Sequence, residues 1–148
     1  MKIRTQMATI LMAEDDPDDR LLIMDAFKET ELLSDLRFVE DGQALMDYLH
    51  QRSCYQAMET APRPSLILLD LNMPGKDGRQ ALLEIKSDPN LQKIPVVVLS
   101  TSSERQDILE SYAGGASSYI AKPVSFDKLV DIIKTLARYW LEMVELPV

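Results

Sequence analysis

Ser65-Leu-Ile-Leu-Leu-Asp70-Leu-Asn-Met-Pro-Gly-Lys-Asp-Gly78 sets a continuous apolar run, Leu66 to Leu69, directly against a carboxylate and then a turn. A run without polar alternation suits a strand buried on both faces of a parallel sheet rather than one half exposed to water. Pro74, Gly75 and Gly78 turn the chain immediately afterwards, so Asp70 is presented at the carboxyl end of a strand. In open α/β sheets that edge is where ligands bind. Taken alone, Asp70 reads equally well as a turn residue bonding nearby amides, so the rest of the chain must decide.

The same pattern recurs upstream. Ile10 to Ala13 is a short apolar run that ends in Glu14, Asp15 and Asp16 before Pro17. Pro17 suits a first helical position, with Asp18 and Asp19 as acids at the positive end of the helix dipole. Leu21, Leu22, Ile23, Met24 and Phe27 supply the apolar face of that helix. Glu14 and Asp15 are different, because adjacent acids at a strand end repel each other and call for a cation or a basic side chain.

Leu36 to Val39 reads as a second strand near a sheet edge. Asp41-Gly42 turns the chain into a helix with Ala44, Leu45, Tyr48 and Leu49 at helical spacing. His50, the one histidine, reads as a residue of the last helical turn, with no second His or Cys at metal-site spacing. Ser53 to Pro64 reads as a longer loop. Downstream of Gly78, Ala81, Leu82 and Ile85 mark a helix ending before Pro89, and Pro95 opens the apolar run Val96 to Leu99, closed by Ser100, Thr101, Ser102 and Ser103. A helix from about Glu104 to Tyr112 stops at Gly114-Gly115. Tyr119 to Ala121 is a last strand, followed by Lys122-Pro123, and Ser125 caps a final helix expected to run to about Glu145.

Strand then helix, five times over, implies a parallel sheet with helices on both faces. Right-handed crossovers bring every strand's carboxyl end to one edge. That edge collects Glu14, Asp15, Asp70, Ser100 and Lys122. Turn chemistry explains one or two of these residues; it explains the set poorly.

Two or three carboxylates suit a hard divalent cation such as Mg²⁺, which keeps several waters and pairs with phosphate. A lysine and a hydroxyl opposite them would hold phosphoryl oxygens, and an aspartate there can itself be the nucleophile. Neither common nucleotide-binding glycine loop is present, so the phosphoryl group is expected from a phosphorylated partner or a small donor.

Composition sets limits. The 148 residues fit one domain, with 46% hydrophobic and 27% charged residues as in ordinary globular chains. A formal net charge of -8 argues against direct nucleic-acid binding, which needs clustered Lys and Arg. One cysteine, Cys54, allows no internal disulfide and fits a reducing compartment. No apolar run approaches the roughly 20 residues that span a bilayer, and Met1 to Thr9 is too short and polar for a secretory signal. The expected location is cytoplasmic.

The acid pair Glu14-Asp15, the segment Leu69 to Gly78 around Asp70, the hydroxyl at Ser100, the aromatic Tyr119 and Lys122-Pro123 together resemble a response regulator receiver domain of the chemotaxis-regulator type. The resemblance covers about residues 8 to 141 of a single domain spanning 1–148, the remainder being a C-terminal helix extension. It implies a doubly wound, flavodoxin-like five-stranded parallel sheet in the order 2-1-3-4-5. It also implies that Asp70 accepts a phosphoryl group from a sensor histidine kinase. Mg²⁺ would be bound by Asp15 and Asp70 through carboxylates and by Asn72 through its carbonyl, with Glu14 acting through a metal-bound water and the role of Asp16 left open. Ser100 and Lys122 would hold phosphoryl oxygens, and Tyr119 would be the switch, turning inward when the Ser100 loop shifts. The Ser53–Pro64 loop, the run from Pro95 to Ser103 and the short tail look most like single-domain regulators paired with phytochrome-type histidine kinases.

A reading from another class is a metal-dependent phosphatase or phosphotransferase of the haloacid-dehalogenase type, whose second acid lies two residues after the nucleophile; here Asn72 stands at that place. Phe126, Leu129, Val130, Ile133, Leu136, Ala137, Trp140 and Val144 form one apolar stripe on the last helix, enough to dock it. Ile132, Tyr139, Met143 and Leu146 form a second, which predicts a homodimer through that helix.

Overall fold

The computed structural model describes residues 8–32, 34–56 and 61–147. Five parallel strands, β1 (Ala8–Ala13), β2 (Ser34–Val39), β3 (Leu66–Leu69), β4 (Val96–Ser100) and β5 (Ser118–Ala121), form one sheet in the order β2-β1-β3-β4-β5. Five α-helices alternate with them: α1 (Pro17–Glu29), α2 (Gly42–Leu49), α3 (Gly78–Ser87), α4 (Arg105–Ala113) and α5 (Phe126–Arg138). The expected class and strand order are both present.

The apolar strands lack alternation because both faces are covered. Leu11, Ala13, Ile67, Leu69, Val96 and Val98 point to one side, where they meet Leu45 of α2 and Ala81, Leu82 and Ile85 of α3. Their neighbours Ile10, Met12, Leu66, Leu68, Val97 and Leu99 point to the other and pack on Ile23 and Phe27 of α1 and Leu129, Ile133 and Leu136 of α5. Successive strand residues alternate faces, so both sets must be apolar. α4 is the exception. Its buried residues are the polar Asp107 and Ser111, and no apolar residue of α4 belongs to either cluster among the described residues.

Short acidic or hydroxyl caps start α2, α3 and α5, at Ser125 as expected. Asp41 accepts from the Ala44 N–H at 2.7 Å, Asp77 from the Gln80 N–H at 3.1 Å and Ser125 from the Lys128 N–H at 3.5 Å, each occupying an amide the first turn leaves free. Gly115 lies at φ 105° just past α4, a backbone conformation that favours glycine. His50 sits in the cap of α2 with Nε2 3.8 Å from Asp88 Oδ2, a terminal residue as expected.

Several expectations need correction. The last α-helix stops at Arg138 rather than near Glu145, and Tyr139–Met143 continue as one π turn closed by the Val144 N–H on the Tyr139 carbonyl at 3.0 Å. Phe126 is exposed rather than part of the docking stripe, because it is the first residue of α5 and precedes the turn that meets the sheet. Leu146, assigned to the free stripe, instead packs against the α1/α5 core together with Trp140. The extra residue per turn in the π segment shifts the register of everything after it. The Ser53–Pro64 loop holds a short 3₁₀ turn at Ser53–Tyr55; residues 57–60 of it lie outside the described residues, as do residues 1–7 of the amino-terminal stretch.

Candidate functional site

The β1 and β3 strands lie side by side, in register from Ile10 with Leu66 to Ala13 with Leu69, so Glu14 and Asp70 leave the sheet together. Their crossovers go to opposite faces, which opens the crevice where ligands bind in sheets of this kind. One carboxylate oxygen from each of Glu14, Asp15 and Asp70 lies within 4.8 Å of the others. Asp15 is exposed, whereas Glu14 and Asp70 are buried. An all-oxygen set of this kind, part buried and part open to water, fits a hard divalent cation.

Asp16 does not join the three. Its side chain caps α1, accepting the Asp18 N–H at 2.9 Å. Asn72 is exposed, and its N–H donates to Asp70 Oδ1 at 3.1 Å, which fixes the carboxylate at the lip of the β3–α3 turn.

Lys122 enters from β5, with its side chain only 7% exposed. Its ammonium donates to Glu14 Oε1 and, at 3.1 Å, to Asp19 Oδ2, and it stands 3.8 Å from Asp70 Oδ2. Asp19 was read as a helix-dipole acid only, so its place beside Lys122 was missed. Nothing local marks it, since the lysine is 103 residues away in sequence. Burial and charge compete over the protonation of these groups. Burial lifts the Glu14 carboxyl to about 7, although the bond and charge of Lys122 pull it down. Burial raises Asp70 as well, against the lowering effects of Lys122 and the Asn72 N–H. For Lys122, burial works against the charge, but the bond to Glu14 and the charges of Asp70 and Glu14 outweigh it and hold the ammonium above its ordinary range.

Ser100 ends β4 fully buried, and its carbonyl accepts the Lys122 N–H at 2.7 Å, which ties the ends of β4 and β5 together. Its hydroxyl oxygen accepts the Ser102 N–H at 3.2 Å. Tyr119 is half-buried against the α2/α3 core, with its hydroxyl donating to the Ser102 carbonyl at 2.7 Å. That bond links the ring to the β4–α4 loop that carries Ser102. All of these groups reach the crevice from β4 and β5; β2 contributes a backbone carbonyl, Val39, to the Glu14 N–H at 3.0 Å.

One further group was invisible to sequence reading. Arg79, in the first turn of α3, makes a two-pronged bond to Asp107 of α4, Nε to Oδ1 at 2.8 Å and Nη2 to Oδ2 at 2.9 Å. Asp107 also accepts the Ser102 hydroxyl at 2.6 Å. These partners hold the Asp107 carboxyl below its ordinary range, Arg79 first and Ser102 second.

The phosphatase reading gains nothing from this geometry. Its general acid would stand two residues beyond Asp70, and the side-chain amide of Asn72 is far too weak an acid to protonate a leaving group. Among the described residues no helix is long and apolar enough to cross a membrane.

A family model described as the response regulator receiver domain matches residues 10–134. The response regulator Rcp1 from Synechocystis sp. is 41% identical over 138 residues, which is 93% of this chain and 92% of the relative. Among solved structures, the phosphorylated cyanobacterial phytochrome response regulator RcpA matches with a TM-score of 0.90 and 43% identity, covering 97% of this chain and 100% of its own. The Mn²⁺-bound form of Rcp1 matches with a TM-score of 0.88 and 40% identity, covering 95% and 99%.

Proposed function

The chain belongs to the response regulator receiver domain family, a signalling family of two-component systems, and from that premise we propose that Asp70 is its phosphoacceptor. The carrying observation is the crevice where Asp70 faces Lys122 at 3.8 Å beside Glu14 and Asp15. An Asp70 oxygen attacks the phosphorus of a phosphohistidine on a sensor histidine kinase. The new O–P bond forms as the N–P bond breaks, and the histidine nitrogen keeps the electron pair. Lys122 and the Ser100 hydroxyl take the phosphoryl oxygens, charge meeting charge and donor meeting acceptor. The acidic pocket fits a divalent cation, and Mg²⁺ is the ion proposed here, held by Asp15, Asp70 and the Asn72 carbonyl, with Glu14 reached through water. Once bound, it supplies positive charge against the incoming phosphoryl oxygens.

The cyanobacterial relatives support a phytochrome-type kinase as the donor, since RcpA is a phytochrome response regulator. The whole chain acts as one receiver domain in the cytoplasm, without an enzymatic turnover of its own beyond gaining and losing phosphate. The test separates switch from phosphatase: a phosphorylated kinase should transfer one phosphoryl group per chain in the presence of Mg²⁺, and a generic phosphate ester should show no sustained turnover. Continuous ester hydrolysis would overturn the reading.

We also propose that two copies pair through α5 and β5. β5 is an edge strand, and beside it lies a groove of about 720 Å³ lined by Ile120, Ile132, Leu136, Tyr139 and Trp140. Tyr139 is 48% and Met143 73% exposed, which is costly for residues of this size unless a partner covers them. Two-fold pairing is the commonest arrangement. Sedimentation of the wild type should show a dimer at micromolar concentration, and the Tyr139→Glu, Met143→Glu double variant should be monomeric there. A wild type that stays monomeric at high micromolar concentration, with or without beryllofluoride, counts against the interface.

A further inference from the structure

Ser102 uses every polar group it has. Its N–H donates to Ser100 Oγ at 3.2 Å, its hydroxyl donates to Asp107 Oδ2 at 2.6 Å and accepts the Glu104 N–H at 3.3 Å, and its carbonyl accepts the Tyr119 hydroxyl at 2.7 Å. A residue bonded on all sides in an otherwise exposed loop is fixed only as firmly as its partners are. Asp107 is the partner with an anchor, because Arg79 grips both of its oxygens in the planar geometry that makes such pairs strong.

The location of that grip gives it leverage. α4 brings no apolar residue into either core cluster among the described residues, and its N-cap residue Glu104 makes no side-chain capping bond. A helix with little apolar burial belongs to the low-stability end of a fold, and the Arg79–Asp107 pair joins its first turn to α3, whose Ala81, Leu82 and Ile85 lie in the core. Arg79 also reaches towards the metal side of the crevice, with Nη2 3.5 Å from Asn72 Oδ1 and Nη1 3.5 Å from Asp77 Oδ2.

We propose that Arg79 and Asp107 are positioning residues for the phosphoryl site: their ion pair clasps α4 to α3, fixes Ser102, and thereby holds the Ser100 hydroxyl and the Tyr119 ring in place before any phosphoryl group arrives. The clasp lowers the ordering cost of binding. A site whose competent arrangement is already populated binds with nearly its intrinsic affinity, and one that must first be ordered binds more weakly by the fraction competent. Nothing in this role touches phosphorus or metal: the pair acts through the Asp107–Ser102 bond, and the longer Arg79–Asn72 contact is a separate link on the metal side. The inference rests on Asp70 being the phosphoacceptor.

The experiment is calorimetric binding of beryllofluoride with Mg²⁺, and of Mg²⁺ alone, to the full chain and to Arg79→Met, Asp107→Asn and the exchanged pair Arg79→Asp, Asp107→Arg. A 3-fluorotyrosine spectrum, assigned with Tyr119→Phe, follows the ring. Each single variant should bind the phosphoryl mimic about tenfold more weakly as its competent fraction falls. Asp107→Asn, which bonds none of the metal-site residues, should bind Mg²⁺ as the wild type does; each single variant should move the Tyr119 resonance towards that of an exposed ring, and the exchanged pair should recover part of the loss. Should the ion-pair variants fail to fold, Ser102→Ala keeps the pair and removes the hydroxyl link, and it should weaken the mimic in the same direction. Folded variants with wild-type mimic affinity and an unmoved Tyr119 resonance would overturn the clasp while leaving Asp70 as acceptor. A wild type that binds no beryllofluoride at all would overturn the acceptor assignment and the clasp with it.

Discussion

Asp70→Asn is expected to abolish phosphoryl labelling by a histidine kinase and, without metal, to make the folded chain more stable than the wild type. The first effect follows from chemistry, since the amide has no anionic oxygen to attack phosphorus and Glu14 is engaged by Lys122. The second follows from burial. Asp70 is a buried acid whose ionisation the fold disfavours, chiefly through desolvation, and Glu14 and Asp15 crowd the same crevice. An acid whose folded pKa is raised costs stability in its charged form. The gain from Asn is therefore full at pH values above the folded pKa and fades as the pH falls to the ordinary carboxylate range, where both folded and unfolded chains carry the proton. A stabilisation on the order of 1 kcal/mol, roughly 3 °C for a domain of this size, is expected at pH 8. Thermal unfolding of both proteins at pH 8 and pH 4, with and without Mg²⁺, checks it. A wild-type level of label on the variant, at any residue, would remove Asp70 from its role.

Gly78→Ala is expected to be the more damaging change to the fold, at about 3 kcal/mol in urea unfolding. A Cβ at Gly78 would lie 2.2 Å from the Asp70 carbonyl oxygen and 2.7 Å from Leu71 Cα. Both are backbone atoms, and the Gly78 N–H already donates to the Leu71 carbonyl at 3.0 Å, so neither side can give way without moving the turn that carries Asp70. Gly75→Ala is the contrast. Its φ of 66° favours glycine, but a Cβ there would meet nothing within 4 Å, and the expected cost is about 1 kcal/mol from backbone strain alone. If both variants unfold at the same urea concentration, close packing of α3 on the Asp70 turn is not what Gly78 provides.

The contrast between the two glycines also shows where sequence reading ends. Strands β3 and β4 were legible because burial on both faces leaves an unbroken apolar run, and Glu14, Asp70, Ser100 and Lys122 were legible because each ends or directly follows its strand. Topology then did the assembling. Asp19 was read incompletely: it is an acid in the first turn of α1 as expected, and only the folded chain brings Lys122 to it. Arg79 and Asp107 lie 28 residues apart on different helices, and neither carries a local signal that it will meet the other. The π turn at Tyr139–Met143 was unreadable for a related reason: the apolar spacing continues through it, and the extra residue shows only in which side chains end up covered.

The uneven distribution of groups around the crevice has a practical side. Among the described residues, Ser100 and Lys122 reach the crevice from the β4 and β5 side, whereas β2 supplies the Val39 carbonyl. The chain's one thiol, Cys54, is exposed on the 3₁₀ turn just after α2, on that opposite flank. The molecule therefore offers one ready thiol attachment point for a fluorophore or a surface tether, on an exposed turn that holds none of the crevice side chains named above.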